Sequence, residues 1–252
     1  MSLPTLRVGG GMAAAPAAQG RAFSPLSDAV VLLRAATAAL DGWTAAARWR
    51  NEGTGGTTYD GVVGDLAPTL TDGAFVGTAS QVDATVSMFE IADGDIWNPT
   101  IGTDGLTIAW DWEPISSEPT RKSWWHYTGV DIATAGYGMV AELLNIGGGS
   151  FQAMVFSTND LGPGNPSNMG IAGSYSTDRC VYVARIGPGS QFSLFRNGTS
   201  IGTFDATNRG PIADHVEMKL ANLGKHYAFA AWDRAVSNAD IALLSAGFPV
   251  VP

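Results

Sequence analysis

Tight turns recurring at short intervals constrain this chain more than any other feature. Brief apolar runs are separated by Asp60-Gly61, Asp72-Gly73, Asp93-Gly94, Asp104-Gly105 and Asn197-Gly198. An Asx-Gly pair reverses the chain cheaply, because both residues tolerate positive φ. Runs bounded this way read as strands, and many short strands argue for an all-β sandwich or barrel. Two runs carry period two openly. Leu106, Ile108, Trp110 and Trp112 alternate with Thr107, Ala109, Asp111 and Glu113, which predicts one buried and one wet face. Val216, Met218 and Leu220 alternate with Glu217 and Lys219. The stretch Gln191 to Phe204 reads as a hairpin turning at Asn197-Gly198 in a type I′ turn. Asn197-Gly198-Thr199 is also a glycosylation sequon, and the turn reading is preferred.

Composition agrees with a packed domain. Of 252 residues, 45% are hydrophobic and 15% charged, enough to bury one large core. The formal net charge of -9 repels phosphate backbones, so no nucleic acid is expected as a partner. The apolar run from Ala29 to Leu33 stops at Arg34, too short to cross a bilayer, so no membrane insertion is expected. Cys180 is the single cysteine and excludes an internal disulfide; its apolar neighbours predict a buried thiol. Met1 to Gly20 shows no continuous apolar signal core, so synthesis in a cytoplasm is expected.

Residues 1–28, rich in Gly, Ala and Pro, read as an N-terminal arm or linker: either a disordered tail or a segment docking on a neighbouring subunit. Residues 29–252 read as the folded domain. Asp28 to Ala36 reads as a first strand, and Asp41 to Asn51 allows a brief helix. Near the end, Ser237 caps a short helix with Asp240 in its first turn. Ile241, Leu243 and Leu244 form its apolar face, and Gly247 stops it.

The order of these last elements carries a resemblance. Cys180 to Ile186, Phe192 to Phe204, Leu220 to Gly224, Tyr227 to Arg234 and Ser237 to Leu244, with Trp232-Asp233-Arg234-Ala235-Val236 leading into the helix, resemble the LamG-type family of concanavalin A-like jelly rolls. The resemblance covers residues 180–248 and is loose before them. It implies a concanavalin A-like jelly-roll β-sandwich with a short C-terminal helix. Many proteins with this domain belong to bacteriophage particles. The implied function is a non-enzymatic virion protein, a minor tail or receptor-binding-region component or a head decoration. It would attach to other virion proteins through residues 1–28, contact host surface glycans and act as an oligomer in the particle. The alternatives are a secreted or cell-surface carbohydrate-binding module, and a glycoside hydrolase with an unrecognised site.

Glycosidase relatives of this fold carry three spaced acids on one strand, which place a nucleophile and an acid/base carboxyl together. Here Asp111 and Glu113 share a face, but no third acid follows and Pro114 comes next. The expectation is an exposed polar edge and no enzyme. His126, His215 and His226 follow no nucleophile elbow, and no cofactor motif appears. Family members often bind calcium. Asp93, Asp95 and Asp104 are the candidate ligands, with turn-forming aspartates as the alternative reading. For sugar, aromatic platforms are needed. In Trp124-Trp125-His126-Tyr127, strand alternation puts Trp124 and His126 on one side, and Trp97 and Tyr137 lie in apparent loops. These four are the glycan-binding candidates, weighed against core packing or a subunit contact.

Overall fold

The computed structural model describes residues 25–77, 87–92, 94–97, 105–113, 121–127, 138–145, 151–158, 170–171, 178–187, 191–205, 217–221 and 224–248. The chain begins with a 3-10 turn at Pro25–Asp28, then β1 (Val31–Arg34) and α1 (Ala35–Leu40). Next come β2 (Gly61–Val63), β3 (Thr69–Thr71), β4 (Ala74–Val76), β5 (Ser87–Ala92) and β6 (Leu106–Glu113). They are followed by β7 (Arg121–Tyr127), β8 (Gly138–Asn145), β9 (Phe151–Thr158) and β10 (Gly170–Ile171). The last elements are β11 (Cys180–Ile186), β12 (Gln191–Arg196), β13 (Thr199–Asp205), β14 (Glu217–Ala221), β15 (Lys225–Trp232) and α2 (Asn238–Leu244). Of β7 to β10 the backbone pairing alone is described.

Two antiparallel sheets result. The first runs β13-β12-β11-β6-β15-β4-β3, with β1 added to β15 beside β4; the second runs β10-β9-β8-β7-β14-β5-β2. Their inner faces share one core. Val31, Phe75, Ile108, Trp110, Trp112, Tyr182, Leu194 and Phe229 of the first sheet meet Phe89, Ile91, Met218 and Leu220 of the second. The all-β sandwich expected from the turns and alternation is the architecture observed.

A second apolar layer was not anticipated. Ala109, Val181, Val183, Phe195, Ala228, Ala230 and Trp232 face the other way from the first sheet. They are covered by Leu26, Val236, Ile241, Leu244 and Phe248. β6 is therefore buried along both faces, and Thr107 and Asp111 are 0% and 1% exposed. The expected wet face of β6 does not exist. Thr107 instead donates to the Arg234 carbonyl at 2.8 Å and accepts from the Val236 amide at 3.0 Å, tying the approach to α2 onto the sheet.

Two of the Asx-Gly pairs turn as expected, whereas Asp60 is extended and Gly61 opens β2. Asn197 and Gly198 have φ of 47° and 76°, as a type I′ turn demands, and Asp72 and Gly73 repeat this between β3 and β4. Ser237 Oγ accepts from the Asp240 amide and caps α2. Ile241 and Leu244 are buried beneath it, but Leu243 is 57% exposed and is not part of the apolar face. Met218 and Leu220 are buried, and Lys219 pairs with Glu90. The first strand ends at Arg34, short of Ala36. Four alanines in Ala35–Leu40 form α1 in its place, with Ala35 and Ala38 buried one turn apart. The brief helix allowed over Asp41 to Asn51 is absent. Gly42, at φ 70°, follows the end of α1, and Trp49 is drawn into an antiparallel bridge with Gly61. Pro25–Asp28, assigned to the arm, packs with the domain: Leu26 joins the outer layer and Asp28 pairs with Arg234.

Candidate functional site

β6 carries two carboxylates, Asp111 and Glu113. Asp111 is buried and accepts two bonds from Arg179, Nε at 2.7 Å and Nη2 at 2.6 Å. Glu113 accepts from Lys225 Nζ and Tyr227 Oη, each at 2.7 Å. A β-bulge brings Tyr227 here. β15 pairs His226 with Trp112 and Ala228 with Asp111, so Tyr227 is the extra residue. The Arg179 guanidinium lies 3.6 Å from the centre of the Tyr227 ring. The Lys225 bond, and then the Tyr227 bond, hold the Glu113 carboxyl below the usual glutamate range. A glycosidase acid needs the opposite shift, towards neutral pH. Asp111 faces a guanidinium where a nucleophile would face a sugar. This cluster is built to hold strands together.

A concave surface lies elsewhere, beside α1. A cleft of about 110 Å³ is lined by Arg34, Thr37, Trp43, Arg48, Trp49 and Arg50 together with Asp41 and small residues between them. Its floor is aromatic. Trp43 and Trp49 each stand 4.7 Å from Phe75, Trp49 lies 5.0 Å from Phe89, and Phe75 and Phe89 are 4.8 Å apart across the two sheets. The wall carrying Trp49 and Arg50 is fixed by Asn51, which is 7% exposed. Asn51 Oδ1 accepts from the Leu32 and Gly53 amides at 2.7 and 3.0 Å. Its Nδ2 donates to the Val30 and Gly56 carbonyls at 3.1 and 2.9 Å, and its own amide donates to Asp60 Oδ1 at 2.8 Å. Arg34 forms an ion pair with Glu52. Thr37 Oγ1, Trp43 Nε1 and Trp49 Nε1 are buried without a hydrogen-bond partner. The cleft thus sets three guanidiniums and one carboxylate around an aromatic floor.

The residues singled out from sequence fall differently. Trp97 is not on an open loop. It closes a 3-10 turn, is 0% exposed, donates from Nε1 to the Ala92 carbonyl at 3.1 Å and meets Tyr59 and Phe229 as a core ring. It is therefore corrected from glycan platform to core. Trp124 and His126 lie on β7, where Trp124 sits at a register shift opposite β8 and His126 pairs with Lys219 of β14. Their side chains, Tyr137, His215, Asp93, Asp104 and the side chain of Asp95 lie outside the described residues. Among the described residues no group of three or more His, Cys, Asp or Glu could hold a metal ion, and no helix is long and apolar enough to cross a membrane. His226 is buried within β15, and Cys180 is a buried free thiol. The cleft was not read from sequence, although the tripeptide Arg48-Trp49-Arg50, beginning five residues after Trp43, is a signal for it.

No protein-family model matches the chain, and no curated protein matches it. Solved structures do. The binding domain of botulinum neurotoxin serotype G matches with a TM-score of 0.55 at 10% identity, over 86% of this chain and 50% of that one. The binding domain of botulinum neurotoxin DC in complex with SialylT matches with a TM-score of 0.56 at 10% identity, over 87% and 51%. A structure concerned with botulinum neurotoxin type C, whose cell entry depends on interaction with two ganglioside molecules, matches with a TM-score of 0.52 at 10% identity, over 75% and 47%. The chain spans about half the length of these structures. At this identity the likeness shows a shared fold: the β-sandwich found in these binding domains is also the architecture of this chain.

Proposed function

We propose that the protein is a non-catalytic, glycan-binding β-sandwich. The observation that carries the reading is the fold shared with binding domains across most of the chain, one of them solved with SialylT and another tied to gangliosides. The locked state of Asp111 and Glu113 supports it, because both carboxylates are committed to cations, Arg179 just before β11 and Lys225 on β15. A glycan array probed with the full chain tests the reading. Binding to a restricted set of glycans is the expected result, and a flat array overturns it. Turnover of a polysaccharide panel would overturn the non-catalytic part.

We further propose that this module is carried on a bacteriophage particle, as a minor tail or decoration component made in the host cytoplasm and anchored through the N-terminal arm. The LamG-type order of elements over residues 180–248 and the Gly/Ala/Pro-rich arm support this. Removal of residues 1–24 spares the packed Pro25–Asp28 turn. The truncated chain is expected to bind glycans yet fail to enter particles. Undiminished incorporation rejects the anchoring role. A cell-surface module is the alternative, and in that case the full chain would not copurify with particles.

A further inference from the structure

We infer that the cleft beside α1 receives the carboxylate of an acidic sugar. The inference rests on the glycan-binding reading and gives it a place and a ligand class. Its first support is charge. The chain has 23 acidic residues against 14 Lys and Arg, yet Arg34, Arg48 and Arg50 line one cleft. Arg34 is committed to Glu52. Arg50 stands 3.3 Å from Asp41 with side-chain exposures of 62% and 49%, a contact that water weakens and a ligand can displace. Arg48 is exposed and makes no ion pair among the described residues.

The second support is shape: the half-buried Trp43 ring lines the cleft beside these guanidiniums and offers a flat apolar face to a pyranose. A planar carboxylate matches the guanidinium fork. The size of the cleft suits the carboxylate-bearing edge of one pyranose, with the rest of the glycan lying outside against Arg48 and Arg50.

The test uses the full chain with 15N-labelled indoles and four probes: sialyllactose, a galacturonate oligomer, sulfated lactose and lactose. The Trp43 and Trp49 indole signals are expected to move with the two carboxylate sugars and stay still with lactose. The double variant Arg48→Gln/Arg50→Gln should weaken that binding about tenfold at unchanged melting temperature, since both side chains are exposed. Equal response to lactose, or response to sulfated lactose alone, overturns the carboxylate assignment. Carboxylate-sugar binding undiminished in the arginine variant overturns the location while the glycan-binding reading stands. Silence toward all four probes together with a flat array overturns both.

Discussion

Removing Arg179 should destabilise the protein more than removing Asp111, although each change deletes the same ion pair. The asymmetry comes from burial. The Asp111 side chain is 1% exposed and that of Arg179 is 48% exposed. In Arg179→Ala the carboxylate stays under the chain: a Cβ on Gly247 would lie 3.6 Å from Asp111 Oδ2. It has lost both donors, and an uncompensated buried charge costs about 3–5 kcal/mol. The lost guanidinium contact with the Tyr227 ring adds about 0.5–1 kcal/mol. In Asp111→Ala the guanidinium turns to solvent, and the loss is that of charge-assisted hydrogen bonds, about 1.5–3 kcal/mol. Urea unfolding followed by tryptophan fluorescence reads the difference. With a slope of about 2–3 kcal/mol/M, the Arg179→Ala midpoint should fall by about 1–3 M and the Asp111→Ala midpoint by roughly half as much. The double variant should resemble Asp111→Ala, because no buried charge remains to be orphaned. Equal costs, or a larger cost for Asp111→Ala, would refute the claim that the buried carboxylate sets the energy of this pair.

Other outcomes follow from the same packing. Asn51→Asp keeps the acceptor facing the Leu32 and Gly53 amides but loses both donors and buries a charge. Thermal or urea unfolding should register a loss of about 2–4 kcal/mol, and an unchanged midpoint would show that Asn51 does not hold the cleft wall. Gly224→Ala places a Cβ 2.4 Å from Trp112 Nε1 and 2.7 Å from the Glu113 carbonyl at a φ of 78°. Gly42→Ala has a similar φ of 70° and open space around it. The second should cost about 1–2 kcal/mol by backbone strain alone and the first clearly more; equal costs would show that the site at Gly224 relaxes. Burial, and then the bond to Glu113, push the Tyr227 hydroxyl up to about 12 from 10.0. The stability this supplies is complete below pH 10 and is lost as pH rises from there towards 12; Tyr227→Phe should flatten that alkaline limb in urea midpoints measured against pH. Glu113 acts in the opposite sense. Its depressed pKa contributes stability above the ordinary value of 4.5 that is lost as pH falls below it, and Lys225→Met should shrink this acid limb.

The parts of the fold legible in sequence share one property: their causes lie within a few residues. Positive φ at Asn197 and Gly198, the Ser237 cap on Asp240, and the alternation of Met218 and Leu220 with Lys219 are near-neighbour effects, so composition and spacing suffice to read them. The site was less legible. Trp97 looks like a loop tryptophan until Tyr59 and Phe229 are seen to enclose it. Arg48-Trp49-Arg50 falls in a segment that allows a brief helix until Asn51 and the Gly61 bridge fold it back over Phe75 and Phe89.

Sequence alone determined that this chain forms short antiparallel strands with tight turns and a capped C-terminal helix, because hydrophobic period and turn stereochemistry act locally. Tertiary structure alone decided how many faces of each strand are dry. Alternation on β6 identifies Leu106, Ile108, Trp110 and Trp112 as inward residues but says nothing about what lies over Thr107 and Asp111. That cover comes from residues 26–29 and 236–248, and the Thr107 bond to Arg234 spans 127 positions. Burial depends on which distant segment the chain lays across a surface, and loop closure over such spans leaves no periodic mark in the residues it joins.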